Sequence, residues 1–174
     1  MLTLPVGTKN GIDILPRWPA RQVLIDERAW QKLEAVQAGL PAHVNLILTR
    51  AFEPRASDLG KARQLFRRAG ISLFALLYKH RKTEIHDIFG SNGHDQDGNH
   101  IDVSLRIQGR RVRLLPLSVF TPPSWQKQGM KKYQPELELV QASLVAHGFQ
   151  LHQNATERLQ IHCDFVQPAS ETVR

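Results

Sequence analysis

A single cysteine, Cys163, stands in a chain of 174 residues, so no intramolecular disulfide is available to hold the fold. Export stays open on that count, because a well-packed or zinc-stapled domain needs no disulfide. No stretch approaches ~18 consecutive apolar residues, which excludes a membrane span. The opening residues, MLTLPVGTKNGIDILPRWP, lack a basic segment followed by an apolar one, so no signal peptide is expected. Cytoplasmic synthesis, with action in the periplasm or cell wall, remains compatible with that start. Aromatic residues make up only 7%, too few for the interleaved stacking platform of a single-strand nucleic-acid binder. Glycine-rich phosphate loops, internal repeats and low-complexity segments are all missing.

What remains is a chain built to fold as one domain. Hydrophobic residues reach 41%, enough for a packed core. The net charge is +7 and the pI about 10, which favours anionic partners such as nucleic acid or an anionic cell-wall polymer. The basic residues are scattered (RRAG, KHRK, GRRVR, KQGMKK), so each cluster by itself reads as a solvated cationic surface.

Along the chain, residues 1–24 read as an extended arm across the core. Asp26 opens a helix with Trp30, Leu33 and Val36 or Gln37 on one side, stopped by Gly39 and Pro41. HVNLILT then reads as a strand. Ser57 or Asp58 caps a second helix, with Leu59, Ala62, Leu65, Phe66 and Ala69 at helical spacing and Gly70 as its end. ISLFALLY fits either a buried strand or a helical turn. IDVSLRI reads as a strand, and QGR followed by RVRLLPL suggests a hairpin. Residues 116–135, carrying Pro116, Pro122, Pro123 and Pro135, read as a long loop of the kind that forms binding edges. Pro135 opens a third helix that buries Leu137, Val140, Leu144 and Val145. RLQIHCDFV closes the series with clean alternation. The fold class expected is α+β: a small antiparallel sheet with helices on one face and a metal site on the other.

The chemistry concentrates in SNGHDQDGNHIDVSL, where His94, His100, Asp95, Asp97 and Asp102 fall within nine residues. An EF-hand calcium loop does not fit, because Ser104 stands where a bidentate glutamate is needed. DQDGN alone is a good turn sequence. Strand parity adds the stronger argument. Ile101, Val103 and Leu105 share one face, leaving His100, Asp102 and Ser104 on the other. In the last strand Leu159, Ile161, Cys163 and Phe165 share a face opposite Gln160, His162 and Asp164. Two such strands side by side would bring Asp102 and His162 together, with His94 folding back from the preceding loop. Two histidines and an aspartate leave an open position for water, as a catalytic zinc requires. Cys163 falls on the apolar face, where a buried, inert thiol is expected.

The order GHDQDGNHIDVSL, a helix ending AHGF, then LQIHCDF resembles the zinc D-Ala-D-Ala carboxypeptidase and peptidoglycan endopeptidase superfamily. That group includes the vancomycin-resistance dipeptidases and the hedgehog amino-terminal domain. Its hallmark is Ser-x-His-x-x-Gly-x-Ala-x-Asp, with a second His on a late strand. The resemblance covers residues 43–166 and implies a Zn2+ peptidase acting on stem or cross-link peptides of peptidoglycan. It implies His94, Asp102 and His162 as ligands. Arg50, with Arg55 as the alternative, would grip a substrate carboxylate through its fork of donors.

The chain departs from the pattern in three ways. The His94–Asp102 spacing is one residue longer than usual. The serine lies three residues before His94 instead of two, and His100 replaces a small residue before Asp102. Leu159 occupies the place of the usual glutamate three residues before the last histidine. Glu157 is then the candidate general base, with Asp164 a weaker substitute. His100 is also an alternative to His94 as ligand, or a group that supports the ligands. Two competing readings carry no peptidase activity: a basic nucleic-acid module contacting its partner through KHRK and GRRVR, and a zinc-binding relative without catalysis.

Overall fold

The computed structural model describes residues 1–18, 20–52, 61–79, 82, 85, 98–112, 122–152 and 159–166. Thirteen elements lie among them. Four short strands occupy the N-terminal arm: β1 (Leu2–Pro5), β2 (Gly7–Lys9), β3 (Ile12–Ile14) and β4 (Gln22–Ile25). Then follow α1 (Glu27–Gly39), β5 (Val44–Arg50), α2 (Lys61–Leu77), β6 (His100–Ile107) and β7 (Arg110–Arg111). The chain ends with α3 (Pro123–Lys132), α4 (Gln134–Ala146), β8 (Phe149–His152) and β9 (Ile161–Phe165).

The class is α+β. One two-stranded sheet pairs β1 with β4; the main sheet runs β2-β3-β5-β6-β9-β8, with β7 paired to β6. All pairings are antiparallel except β3 with β5. The arm is therefore more than a drape, since β2 and β3 extend the main sheet.

Alternation along β6 and β9 gives the sheet its two faces. Ile101, Val103 and Leu105, with Ile161, Cys163 and Phe165, join one core cluster. Against it pack Ala29, Trp30, Leu33 and Val36 of α1 and Leu137, Val140 and Leu144 of α4. Each large aliphatic side chain buried this way contributes roughly 1.5–3 kcal/mol. Asp26 caps α1 through its side chain, accepting from the backbone N–H of Arg28 (2.9 Å) and Ala29 (3.3 Å). Gln37 then ties the helix to the sheet. It donates to the Val44 carbonyl and accepts from the Leu46 N–H, just before Ile47, where β5 begins to pair with β3.

Four expectations change. Helix α2 does not stop at Gly70; it runs on through the ISLFALL segment to Leu77 and buries Phe74. An interior glycine costs about 1 kcal/mol, which the helix-favouring alanine and leucines after it offset. Leu65 of this helix is exposed, so it does not face the core. Of the 116–135 stretch, residues 116–121 lie outside the described residues and the rest is largely helical, because Pro123 sits in the first turn of α3, where a missing N–H costs nothing. Val145 is exposed while Leu144 is buried, one residue having rotated off the apolar face. The expected caps Ser57 and Asp58, with Leu59, and the hairpin arm beyond Val112 lie outside the described residues.

Entry into β6 depends on Gly98. Its φ is +75°, and a Cβ there would lie 2.8 Å from the Asp26 backbone nitrogen, whose N–H donates to the Gly98 carbonyl. This pin joins the start of β6 to the start of α1, and so sets where His100 emerges. Gly98→Ala is expected to lower stability by about 1–3 kcal/mol. A urea midpoint that falls with an unchanged slope would confirm it; an unchanged midpoint would refute the pin.

Candidate metal centre

The face of β6 and β9 turned away from the helical core carries the chemistry. Antiparallel pairing sets Asp102 opposite His162 and His100 opposite Asp164. On the far side of β9, His152 pairs with His162. The sequence expectation that Asp102 and His162 meet on one face is met: His162 Nδ1 lies 2.6 Å from Asp102 Oδ1.

Asp102 is fully buried, and four charged or imidazole side chains meet its two oxygens. Its Oδ1 faces histidines, with His162 at 2.6 Å and His100 Nε2 at 3.6 Å. Its Oδ2 faces arginines, with Arg50 Nε at 2.8 Å and Arg17 Nη2 at 3.5 Å. Burial alone would push the carboxyl pKa up. Arg17 and Arg50, then the imidazoles of His100 and His162 beside it, reverse that and hold it well below the usual carboxylate range.

Arg50 reaches this position through a β-bulge. Leu48 pairs with Val103, but the next pair is Arg50 with Asp102, so Thr49 is the extra residue. The Thr49 hydroxyl donates to the Asp102 carbonyl at 3.0 Å and accepts from Gln160 Nε2 at 3.2 Å. Arg17 comes from the arm. Its backbone N–H donates to the Thr49 carbonyl, and its Nη2 donates to Gln160 Oε1 at 2.8 Å. Sequence reading named Arg50, placed Gln160 on the His162 face without a role, and missed Arg17; only the bulge and the arm's run beside β5 reveal how they join.

His100, Asp102 and His162 present ligand atoms within 4.8 Å of one another, a group that could hold a metal ion. Two imidazoles and a carboxylate suit a borderline divalent ion. On a tetrahedral zinc, neighbouring N and O ligands sit about 3.3 Å apart. The His100–Asp102 separation already matches; the His162–Asp102 pair would open by a fraction of an ångström. A second group, His100, His152 and Asp164, adjoins the first. His94 and Glu157, named from the sequence as ligand and base, and the alternative Arg55 lie outside the described residues.

Cys163 is buried on the apolar face, and burial pushes its thiol pKa far up. It should resist thiol reagents in the native protein and react only as the protein unfolds. Rapid native labelling would contradict this placement.

For Asp102 the sign is fixed by its depressed pKa. The stabilisation it provides is present above the unfolded carboxyl range, near pH 4, and is lost as pH falls through the lower folded value. In metal-free protein at pH 7, Asp102→Ala should cost about 3 kcal/mol, the low end for a broken buried pair because Arg17 is 39% exposed. The variant should also lose part of the acid-side dependence, measured by denaturation at pH 7 and pH 3. Comparison with protein-family models, with curated proteins and with solved structures returned no match.

Proposed function

We propose that the protein is a zinc-dependent peptidase acting on the stem or cross-link peptides of peptidoglycan. The observation that carries the metal reading is the cross-strand convergence of Asp102 and His162 with His100 beside them. The substrate class rests on the resemblance of the GHDQDGNHIDVSL and LQIHCDF segments to that peptidase superfamily, and on a net charge of +7 suited to an anionic wall.

Zinc at such a site supplies a water made acidic enough to act as a nucleophile near neutral pH. The chain's own residues do the rest. Asp102 and His162 hold the metal, together with His94 or His100. Arg17 and Arg50 keep Asp102 ionised and fixed through Oδ2, leaving Oδ1 for the metal side. Arg50 is also the proposed grip for a substrate carboxylate. Glu157 is the proposed base, with Asp164 as the substitute.

One observation favours a second reading. Asp102 already has arginines on one oxygen and His162 on the other, so the chain's own groups balance its charge, as in a purely structural polar network. A basic, metal-free nucleic-acid-binding protein would fit that arrangement. No helix among the described residues is long and apolar enough to cross a membrane.

Metal analysis of protein purified without chelator or affinity histidines separates the two. About one zinc per chain, lost in His162→Ala, and release of peptides from peptidoglycan that stops on chelation, are expected. Metal-free protein that takes up no added zinc, and binds DNA with steep salt dependence, would replace the peptidase reading with the second one.

A further inference from the structure

The imidazole of His100 lies between two carboxylates on one sheet face. Its Nδ1 is 2.6 Å from Asp164 Oδ1, while its Nε2 is 3.6 Å from Asp102 Oδ1. The short contact is the hydrogen bond; the longer one has the spacing of two ligands on a shared ion. A carboxylate only accepts, so the proton of a neutral His100 belongs on Nδ1. The lone pair then falls on Nε2, on the side where Asp102 Oδ1 and His162 Nδ1 converge. Asp164 is itself held from the far strand, because His152 Nε2 meets its Oδ2 at 2.7 Å. His100 and His152 lean toward each other with ring centroids 5.7 Å apart.

We propose that Asp164 is a positioning residue for the metal centre, fixing His100 in the tautomer that makes it the third ligand beside Asp102 and His162. This rests on the metal reading above and deepens it. A ligating histidine needs its second nitrogen bonded to an acceptor, which sets ring orientation and raises basicity. Asp164 meets that need from β9, directly across from His100 on β6. Asp164 is 37% exposed and His152 42%, so both can be replaced without opening the core. On this assignment the neighbouring group of His100, His152 and Asp164 supports the metal ligands and holds no ion of its own. A second ion there would compete for the His100 Nδ1 proton position.

The test combines two readouts. In metal-free protein, at a pH where the His100 ring is neutral, its 15N chemical shifts should report the proton on Nδ1. Zinc affinity is then measured by competition with a chromogenic chelator. Wild type should bind one equivalent, and His100→Ala should lose it. Asp164→Ala should keep one equivalent but bind 10- to 100-fold more weakly. Asp164→Asn, which retains an acceptor oxygen, should fall between the two. Circular dichroism of the metal-free variants should match wild type.

An Nε2-protonated neutral His100, or unchanged affinity in both Asp164 variants, overturns the proposal and leaves the metal reading standing with His94 as ligand. Two zinc equivalents in wild type, one of them lost in His152→Ala, overturn it in favour of a second site. Absence of any zinc in wild type removes the metal reading itself.

Discussion

A carboxylate with no exposure to water is the constraint around which this structure is arranged. An isolated ionised Asp102 in the sheet interior would be held out of its charged form by desolvation. Two arginines and two histidines change that balance, and each must be delivered from a different part of the chain. Arg50 needs the bulge at Thr49; Arg17 needs the N-terminal arm to run beside β5; His162 needs β9 in register with β6. Gln160 links the first two, because it donates to Thr49 and accepts from Arg17. Features that look unrelated in the sequence share one electrostatic purpose.

The same sheet keeps this polar work separate from its core. Strand alternation places Ile101 and Val103 against α1 and α4, and their immediate neighbours His100 and Asp102 on the other face. A one-residue slip of β9 would move His162 into the apolar cluster and Cys163 to the polar face. The thiol shows how complete the separation is. Cys163 stands between His162 and Asp164 in sequence, yet its surroundings are apolar and its proton is held tightly. Register is therefore specified twice, by burial of one face and by charge pairing on the other.

Much of this was legible in the sequence where a local rule applied. Period-two alternation placed Asp102 and His162 on a common face, and Asp26, Trp30, Leu33 and Val36 announced a capped, one-sided helix. Legibility failed where a distant partner decided. Gly70 reads as a helix stop, but burial of Phe74 and helix-favouring neighbours carry α2 past it. The prolines near residue 122 read as loop, although Pro123 is well suited to a first helical turn. Arg17 lies in a proline-rich arm with no periodicity to read, and its role depends on a neighbour 85 residues further on. Parity put Asp102 and Ser104 on the face opposite the core, but it carries no information on cover from elsewhere in the chain, and both are buried.

The division of Asp102 between its two oxygens bears on how the site would respond to an ion. Arginine on Oδ2 and histidine on Oδ1 leave the cations on opposite sides of the carboxylate. An ion entering between His100, His162 and Oδ1 would take the place of the 2.6 Å His162–Asp102 hydrogen bond, without displacing either guanidinium. The arginines make the carboxylate a weaker donor than an unpaired one, because they already draw on its charge. They also fix its direction, which spares the reorganisation that a mobile side chain would need. Affinity is then set by geometry more than by charge. For that reason the groups that aim the imidazoles, Asp164 above all, would tune such a centre without ligating the ion themselves.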